Sequence, residues 1–115
     1  MKVCVFGLWH LGSVTSACLA SLGHQVIGLD DDVNTIRKLK SGRAPIFEAG
    51  LDELIRKGLS TSNLLFTNNY EKLPNDIDFV WITIDTPISE EDVADTNYVI
   101  SKTLKLLESI ASGTT

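Results

Sequence analysis

The chain has 115 residues, a net charge of −5, 43% hydrophobic residues and a mean hydropathy of +0.11. That length suits a single domain, because domains commonly run about 100–150 residues, and the composition is too apolar for a disordered chain. An acidic chain without a run of Lys or Arg lacks the basic face that a nucleic-acid partner requires.

Lys2-Val-Cys-Val-Phe6 is a short apolar run ending at Gly7, the pattern of a strand buried on both faces of a parallel sheet. Leu11, Val14, Thr15, Cys18, Leu19 and Leu22 then recur at three- and four-residue spacing, which predicts a helix with that face inward. Gly23 stands where a helix C-terminal glycine belongs. A second strand is predicted over Gln25-Val-Ile-Gly-Leu-Asp30. The following helix is capped by Asp31 or Asp32, turns Val33, Ile36 and Leu39 inward, and is closed by Gly42.

Val3–Leu29 contains no Asp, Glu, Lys or Arg, and its 27 residues would be long enough to cross a membrane. It also contains His10, Gln25, four glycines and several hydroxyl residues, and its period changes from strand to helix and back. This is the pattern of buried soluble structure, so no membrane partner and a cytoplasmic location are expected. Cys4 and Cys18 form neither a disulfide framework nor a zinc site; both read as small buried hydrophobes in a reducing compartment, and no metal site is expected.

The alternation continues after a loop at Ala44–Gly50. A short helix is predicted from Leu51 to Lys57, closed by Gly58, and a third strand at Leu64-Leu-Phe-Thr67. Tyr70–Asp76 reads as a turn or a single helical turn. Asp78–Ile84 is the fourth and most apolar strand, with Trp81 in the core. Asp85–Asp95 is loop. The last helix starts near Thr96, packs through Val99, Ile100, Thr103, Leu104, Leu107 and Ile110, and ends at Gly113.

Strand, helix and strand within about thirty residues make a βαβ unit. The fold class is therefore α/β: a Rossmann-type, doubly wound parallel sheet of about four strands with flanking helices. It is incomplete, because the order 3-2-1-4-5-6 places another strand beside the fourth. Residues 1–115 then form a truncated dinucleotide-binding domain whose fourth strand is an edge. Self-association through Phe79–Ile84 is expected.

The turn Gly7-Leu-Trp-His-Leu-Gly12 keeps the first and third glycines of the G-x-G-x-x-G fingerprint and has Trp9 at the second. Gly7 permits the tight exit from the strand, and Gly12 lets the helix approach the sheet. The free N–H groups and dipole of the helix N-terminus suit a pyrophosphate, so Gly7, Leu8, Trp9, His10, Leu11 and Gly12 are the candidate phosphate contacts. The Trp9 backbone can come close to a pyrophosphate if its ring points away. His10 reads either as an exposed first-turn residue beside the phosphates or as an acid–base group. Asp30 lies 18 residues beyond Gly12, where a carboxylate accepting both ribose hydroxyls is expected; its other reading is a helix cap. With Asp31 and Asp32 beside it, a 2′-phosphate is repelled, which favours NAD over NADP.

The first-strand and second-strand segments, together with Ala44-Pro-Ile-Phe-Glu-Ala-Gly-Leu51, Asp85-Thr-Pro87 and Ala94-Asp95, resemble the UDP-glucose/GDP-mannose dehydrogenases. Ala49 replaces the proline of that family's P-I-x-E-P-G-L loop, and Thr35 stands where many members carry a lysine that reaches the adenosine ribose. The resemblance implies an NAD-dependent, two-step oxidation of the sugar C6 hydroxymethyl of a nucleotide sugar, in a homodimeric cytosolic enzyme. It also implies that Ile84, Asp85 and Thr86 line the pyrophosphate and nicotinamide ribose. The family's catalytic cysteine, substrate domain and central dimerisation domain lie downstream, so no catalytic residue is expected within this chain. Two alternatives remain open on the residues: an NAD-sensing regulatory module without catalysis, which would not need the Pro45–Leu51 loop, and a degenerate domain that no longer binds the cofactor.

Overall fold

The structure is a computed structural model and describes residues 1–84 and 96–108. The expected loop Asp85–Asp95 and the helix end at Ile110 and Gly113 lie outside the described residues.

Four strands appear there in chain order: β1 (Lys2–Phe6), β2 (Gln25–Leu29), β3 (Leu64–Thr67) and β4 (Phe79–Ile82). They form one all-parallel sheet in the order β3-β2-β1-β4. The central strand β1 is in register with both neighbours, Val3 facing Val26 on one side and Phe79 on the other. The helices are α1 (His10–Ser21), α2 (Val33–Lys40), α3 (Leu51–Ser60) and α4 (Thr96–Leu107), with a 3₁₀ turn at Tyr70–Lys72. This is the expected Rossmann-type α/β fold.

Because strand side chains alternate, the sheet builds a core on each face. Val3, Val5, Val26, Leu64 and Phe66 pack with Ala17 of α1, Ile36 and Leu39 of α2, and Leu51 and Ile55 of α3. Cys4, Phe6, Ile27 and Leu29 point the other way, against Tyr70, Leu73, Ile77 and Leu106 of α4.

Helix ends follow local chemistry. Gly23 at φ +96° and Gly42 at φ +88° close α1 and α2. In both cases the glycine N–H and the next N–H return to the last turn, Gly23 to Ala20 O and His24 to Leu19 O, Gly42 to Leu39 O and Arg43 to Lys38 O. Of the two candidate caps for α2, Asp32 is the one used; its carboxylate accepts from the N–H groups of Asn34 and Thr35.

Several expectations are corrected. The buried face of α1 is Gly12, Ser13, Ser16, Ala17 and Ala20, while Leu11, Cys18 and Leu22 are exposed. A helix packed this close to a sheet fits only small residues directly beneath it, so of the predicted face Val14 and Leu19 pack at the margin of the core and Leu11, Cys18 and Leu22 do not. Val33 is exposed at the start of α2. Gly58 does not end α3 but lies inside it, where an added Cβ would sit 2.8 Å from Leu64 Cβ; the helix instead ends at Thr61, followed by Ser62 at φ 63°. Trp81 is 44% exposed, because β4 is an edge of the described sheet and no described element fully covers that part of its α1-side face. Along α4 the buried residue is Leu106, whereas Ile100, Leu104 and Leu107 face outward. Strands β2 and β4 are shorter than expected, ending at Leu29 and Ile82.

Candidate dinucleotide site

A cleft of about 240 Å³ opens at the carboxyl ends of β1, β2 and β4. In open parallel sheets this is where ligands bind, since the crossovers leave a crevice there. Gly7, Leu8 and Trp9 line it from the first turn, Asp30 to Asp32 and Thr35 from the second, Thr83 and Ile84 from the end of β4, and Tyr98 and Lys102 from α4.

The first turn is held by backbone and by one threonine. Gly7 donates to Leu29 O at 2.9 Å and has φ +102°, a conformation that L side chains rarely adopt. A Cβ there would also meet Ile84 N at 2.7 Å. The buried Thr83 hydroxyl lies 3.0 Å from Phe6 O and 2.6 Å from Gly7 O, its proton shared between the two carbonyls. Gly12 is tighter still, since its Cβ would fall 1.6 Å from Gly7 O. The first and third glycines are thus demanded by close approach. The second position is not: Trp9 has φ −75°, an ordinary value for any residue, and its side chain is half exposed.

Helix α1 starts without a side-chain cap, and its first backbone bond runs from Ser13 N–H to Trp9 O at 2.9 Å. The N–H groups of the preceding turn therefore have no intrahelical acceptor and carry the positive end of the helix dipole. The carboxylate of Asp30 accepts from Leu8 N–H at 2.8 Å through Oδ2 and from Asp32 N–H at 2.8 Å through Oδ1. Asp30 so ties the second turn to the first, and each oxygen keeps a lone pair for a further donor.

Asp31 takes a different partner, the ammonium of Lys102 on α4. Partial burial is the largest single influence and works against its charge, but the hydrogen bond from Lys102, the Tyr70 hydroxyl and the charges of Lys102 and Lys105 together hold the carboxyl below its usual range. The same hydrogen bond raises Lys102 against its own desolvation. Tyr70 is buried, with its ring under Lys105 at 4.7 Å; burial first and then the Asp31 carboxylate push its hydroxyl well up, although that hydroxyl makes no hydrogen bond of standard geometry.

Of the other sequence candidates, His10 and Leu11 are exposed and outside the cleft lining, and His10 pairs with Glu48 of the Pro45–Leu51 loop at 3.0 Å. Asp85 and Thr86 lie outside the described residues. Thr83, Tyr98 and Lys102 were not singled out from the sequence. A threonine in an apolar strand carries no signal by itself, and the lysine is placed only by the docking of α4. Cys4 is buried and desolvation pushes its thiol up to about 12; Cys18 is exposed and does not line the cleft. Among the described residues no group of three or more His, Cys, Asp and Glu could hold a metal ion, and no helix is long and apolar enough to cross a membrane.

The two close-approach glycines, the uncapped helix start and the carboxylate at the end of β2 fit a dinucleotide, and together with the sheet order they define a Rossmann-type dinucleotide-binding domain. Comparison narrows the class. A model of the UDP-glucose/GDP-mannose dehydrogenase family, NAD binding domain, matches residues 1–115. GDP-mannose 6-dehydrogenase of Pseudomonas syringae pv. syringae is 34% identical over 88% of this chain and 23% of its own length. UDP-glucose 6-dehydrogenase TuaD of Bacillus subtilis is 37% identical over 85% of this chain and 21% of its own. A GDP-mannose dehydrogenase structure from Pseudomonas aeruginosa superposes with a TM-score of 0.86 at 32% identity, over 92% of this chain and 24% of that one. A UDP-D-ManNAc dehydrogenase from Pyrococcus horikoshii gives 0.89 at 30% identity, over 99% and 27%. The chain belongs to the UDP-glucose/GDP-mannose dehydrogenase family and is its NAD-binding domain. It spans about a quarter of the length of the relatives it matches.

Proposed function

We propose that this chain is the NAD-binding part of a nucleotide-sugar 6-dehydrogenase of the type that takes UDP-glucose to UDP-glucuronate, in a homodimeric cytoplasmic enzyme. The observation that carries the reading is the cleft in which Gly7, Leu8 and Trp9 of the first turn meet Asp30. The Gly7–Gly12 turn would hold the pyrophosphate through the backbone N–H groups at the start of α1, those of Gly7 and Leu8 being already bonded to Leu29 O and Asp30. Asp30 would accept the adenosine ribose hydroxyls on its remaining lone pairs. Ile84, Asp85 and Thr86 would lie along the nicotinamide ribose. NAD supplies the hydride acceptor when bound.

The chain itself is proposed to be inactive, with the substrate and central dimerisation domains outside residues 1–115. A thiohemiacetal step needs an exposed, activated thiolate beside the nicotinamide. Cys4 is buried with a raised pKa, and Cys18 lies on the outer face of α1, away from the cleft.

Edge strand β4 supports self-association of the isolated chain. Phe79 and Trp81 stack edge to face at 6.0 Å on the same side of β4, whose outer edge pairs with no strand among the described residues. Sedimentation at rising concentration should show association that Trp81→Lys weakens; a strict monomer throughout refutes it.

Calorimetric titration of the chain with NAD and, in parallel, NADP tests the cofactor reading. Saturable NAD binding with much weaker NADP binding is expected, with NAD binding lost in Asp30→Ala. If neither cofactor binds, Trp9→Gly distinguishes a blocked pyrophosphate site, which it would restore, from a cleft that does not take the dinucleotide.

A further inference from the structure

Three consecutive carboxylates follow β2, but they are not equivalent. Asp30 accepts from the Leu8 and Asp32 N–H groups, and Asp32 from those of Asn34 and Thr35. Both are bonded to backbone. Asp31 instead accepts a hydrogen bond from Lys102, a residue 71 positions away.

Lys102 is the one cationic side chain among the described residues that line the cleft. It is held there by the docking of α4, through buried Leu106 and the placement of Lys105 over the Tyr70 ring. Its side chain is 28% exposed and that of Asp31 34%, so the pair is partly sheltered from screening. An ammonium at the ribose-recognition end of such a cleft would by itself attract a 2′-phosphate, the group that distinguishes NADP from NAD.

We propose that the Asp31–Lys102 pair sets the preference for NAD over NADP, with Asp31 acting by occupying the Lys102 ammonium as much as by repelling phosphate. Lys102 is thereby a latent phosphate-binding group within the dinucleotide site. The inference rests on the reading that this cleft takes a dinucleotide.

The proposal differs from simple repulsion in what happens when Asp31 is removed. Under repulsion alone, Asp31→Ser and the double variant Asp31→Ser/Lys102→Met gain NADP affinity equally. Under the proposal, Asp31→Ser gains about tenfold for NADP, the size of a charge-assisted hydrogen bond to phosphate, and the double variant keeps only the part of that gain that comes from lost repulsion. Both variants break the α4 ion pair, so a loss of helix docking would affect them alike and cannot mimic the difference. Asp31→Asn, closer in size, should follow Asp31→Ser. Titration of the four proteins with NAD and NADP, with far-ultraviolet circular dichroism to confirm folding, decides the matter. Equal NADP affinities for the single and double variants, or no gain in Asp31→Ser, overturn the inference while leaving NAD binding intact. Failure of the unsubstituted chain to bind NAD overturns the cofactor reading and this inference with it.

Discussion

The hydroxyl of Thr83 lies 2.6 Å from the carbonyl oxygen of Gly7, joining the end of β4 to the first turn across 76 residues of chain. The same hydroxyl is 3.0 Å from Phe6 O, and Thr83 N–H donates to that carbonyl at 2.8 Å. With the side chain buried, loss of the hydroxyl leaves the Gly7 carbonyl without this donor. Thr83→Val, nearly the same shape, should therefore lower stability by about 1–3 kcal/mol, read from the midpoint of urea unfolding. Thr83→Ser should recover most of the loss. Equal midpoints for the valine variant and the unsubstituted chain would mean that the clasp holds nothing.

Gly12 and Gly23 separate two reasons for glycine. A Cβ at Gly12 would fall 1.6 Å from Gly7 O, a backbone atom that cannot yield without opening the turn, while at Gly23 nothing lies within 4 Å but φ is +96°. Gly12→Ala should cost at least about 2 kcal/mol and abolish cofactor binding. Gly23→Ala should cost about 1 kcal/mol from conformation alone and leave the cleft unchanged. Thermal unfolding of both variants beside the NAD titration checks the pair, and equal costs would refute it.

The two cysteines should behave oppositely. Cys18 is exposed and should react at once with a thiol reagent at neutral pH, whereas Cys4 should react only as the chain unfolds. Burial pushes the Cys4 thiol up to about 12. Because the folded value is raised, its contribution to stability is complete below the unfolded thiol value of about 8.5 and is lost as pH rises from there through the folded one. Urea midpoints should fall between pH 8 and pH 11. Cys4→Ala, less stable by about 1–2 kcal/mol at neutral pH, should show a shallower fall; parallel slopes would exclude the thiol as the cause.

Much of the fold could be read from short segments because its causes are short-ranged. The apolar runs at Lys2–Phe6 and Leu64–Thr67 became strands with those ends, and Gly23 and Gly42 took the left-handed conformation that closes a helix. Asp30 is just past the end of β2, at the spacing the fingerprint requires. Where periodicity misled, a neighbour overruled it. The face of α1 is chosen by how near the helix lies to the sheet, which favours Ser13, Ser16 and Ala17 over Leu11 and Leu22.

Local residue chemistry was therefore enough for the existence of the four strands, for Gly23 and Gly42 as helix-closing glycines, for the close approach at Gly7 and Gly12, and for the family. Tertiary packing alone decided that Trp81 is exposed on an edge, that Gly58 lets α3 rest on Leu64, and that Thr83 holds the first turn. It also placed Lys102 against Asp31. The division has one physical cause. Backbone conformation and capping are settled by residues a few positions apart, whereas close approach and charge pairing depend on where a distant element comes to rest, and 71 positions separate Lys102 from its carboxylate.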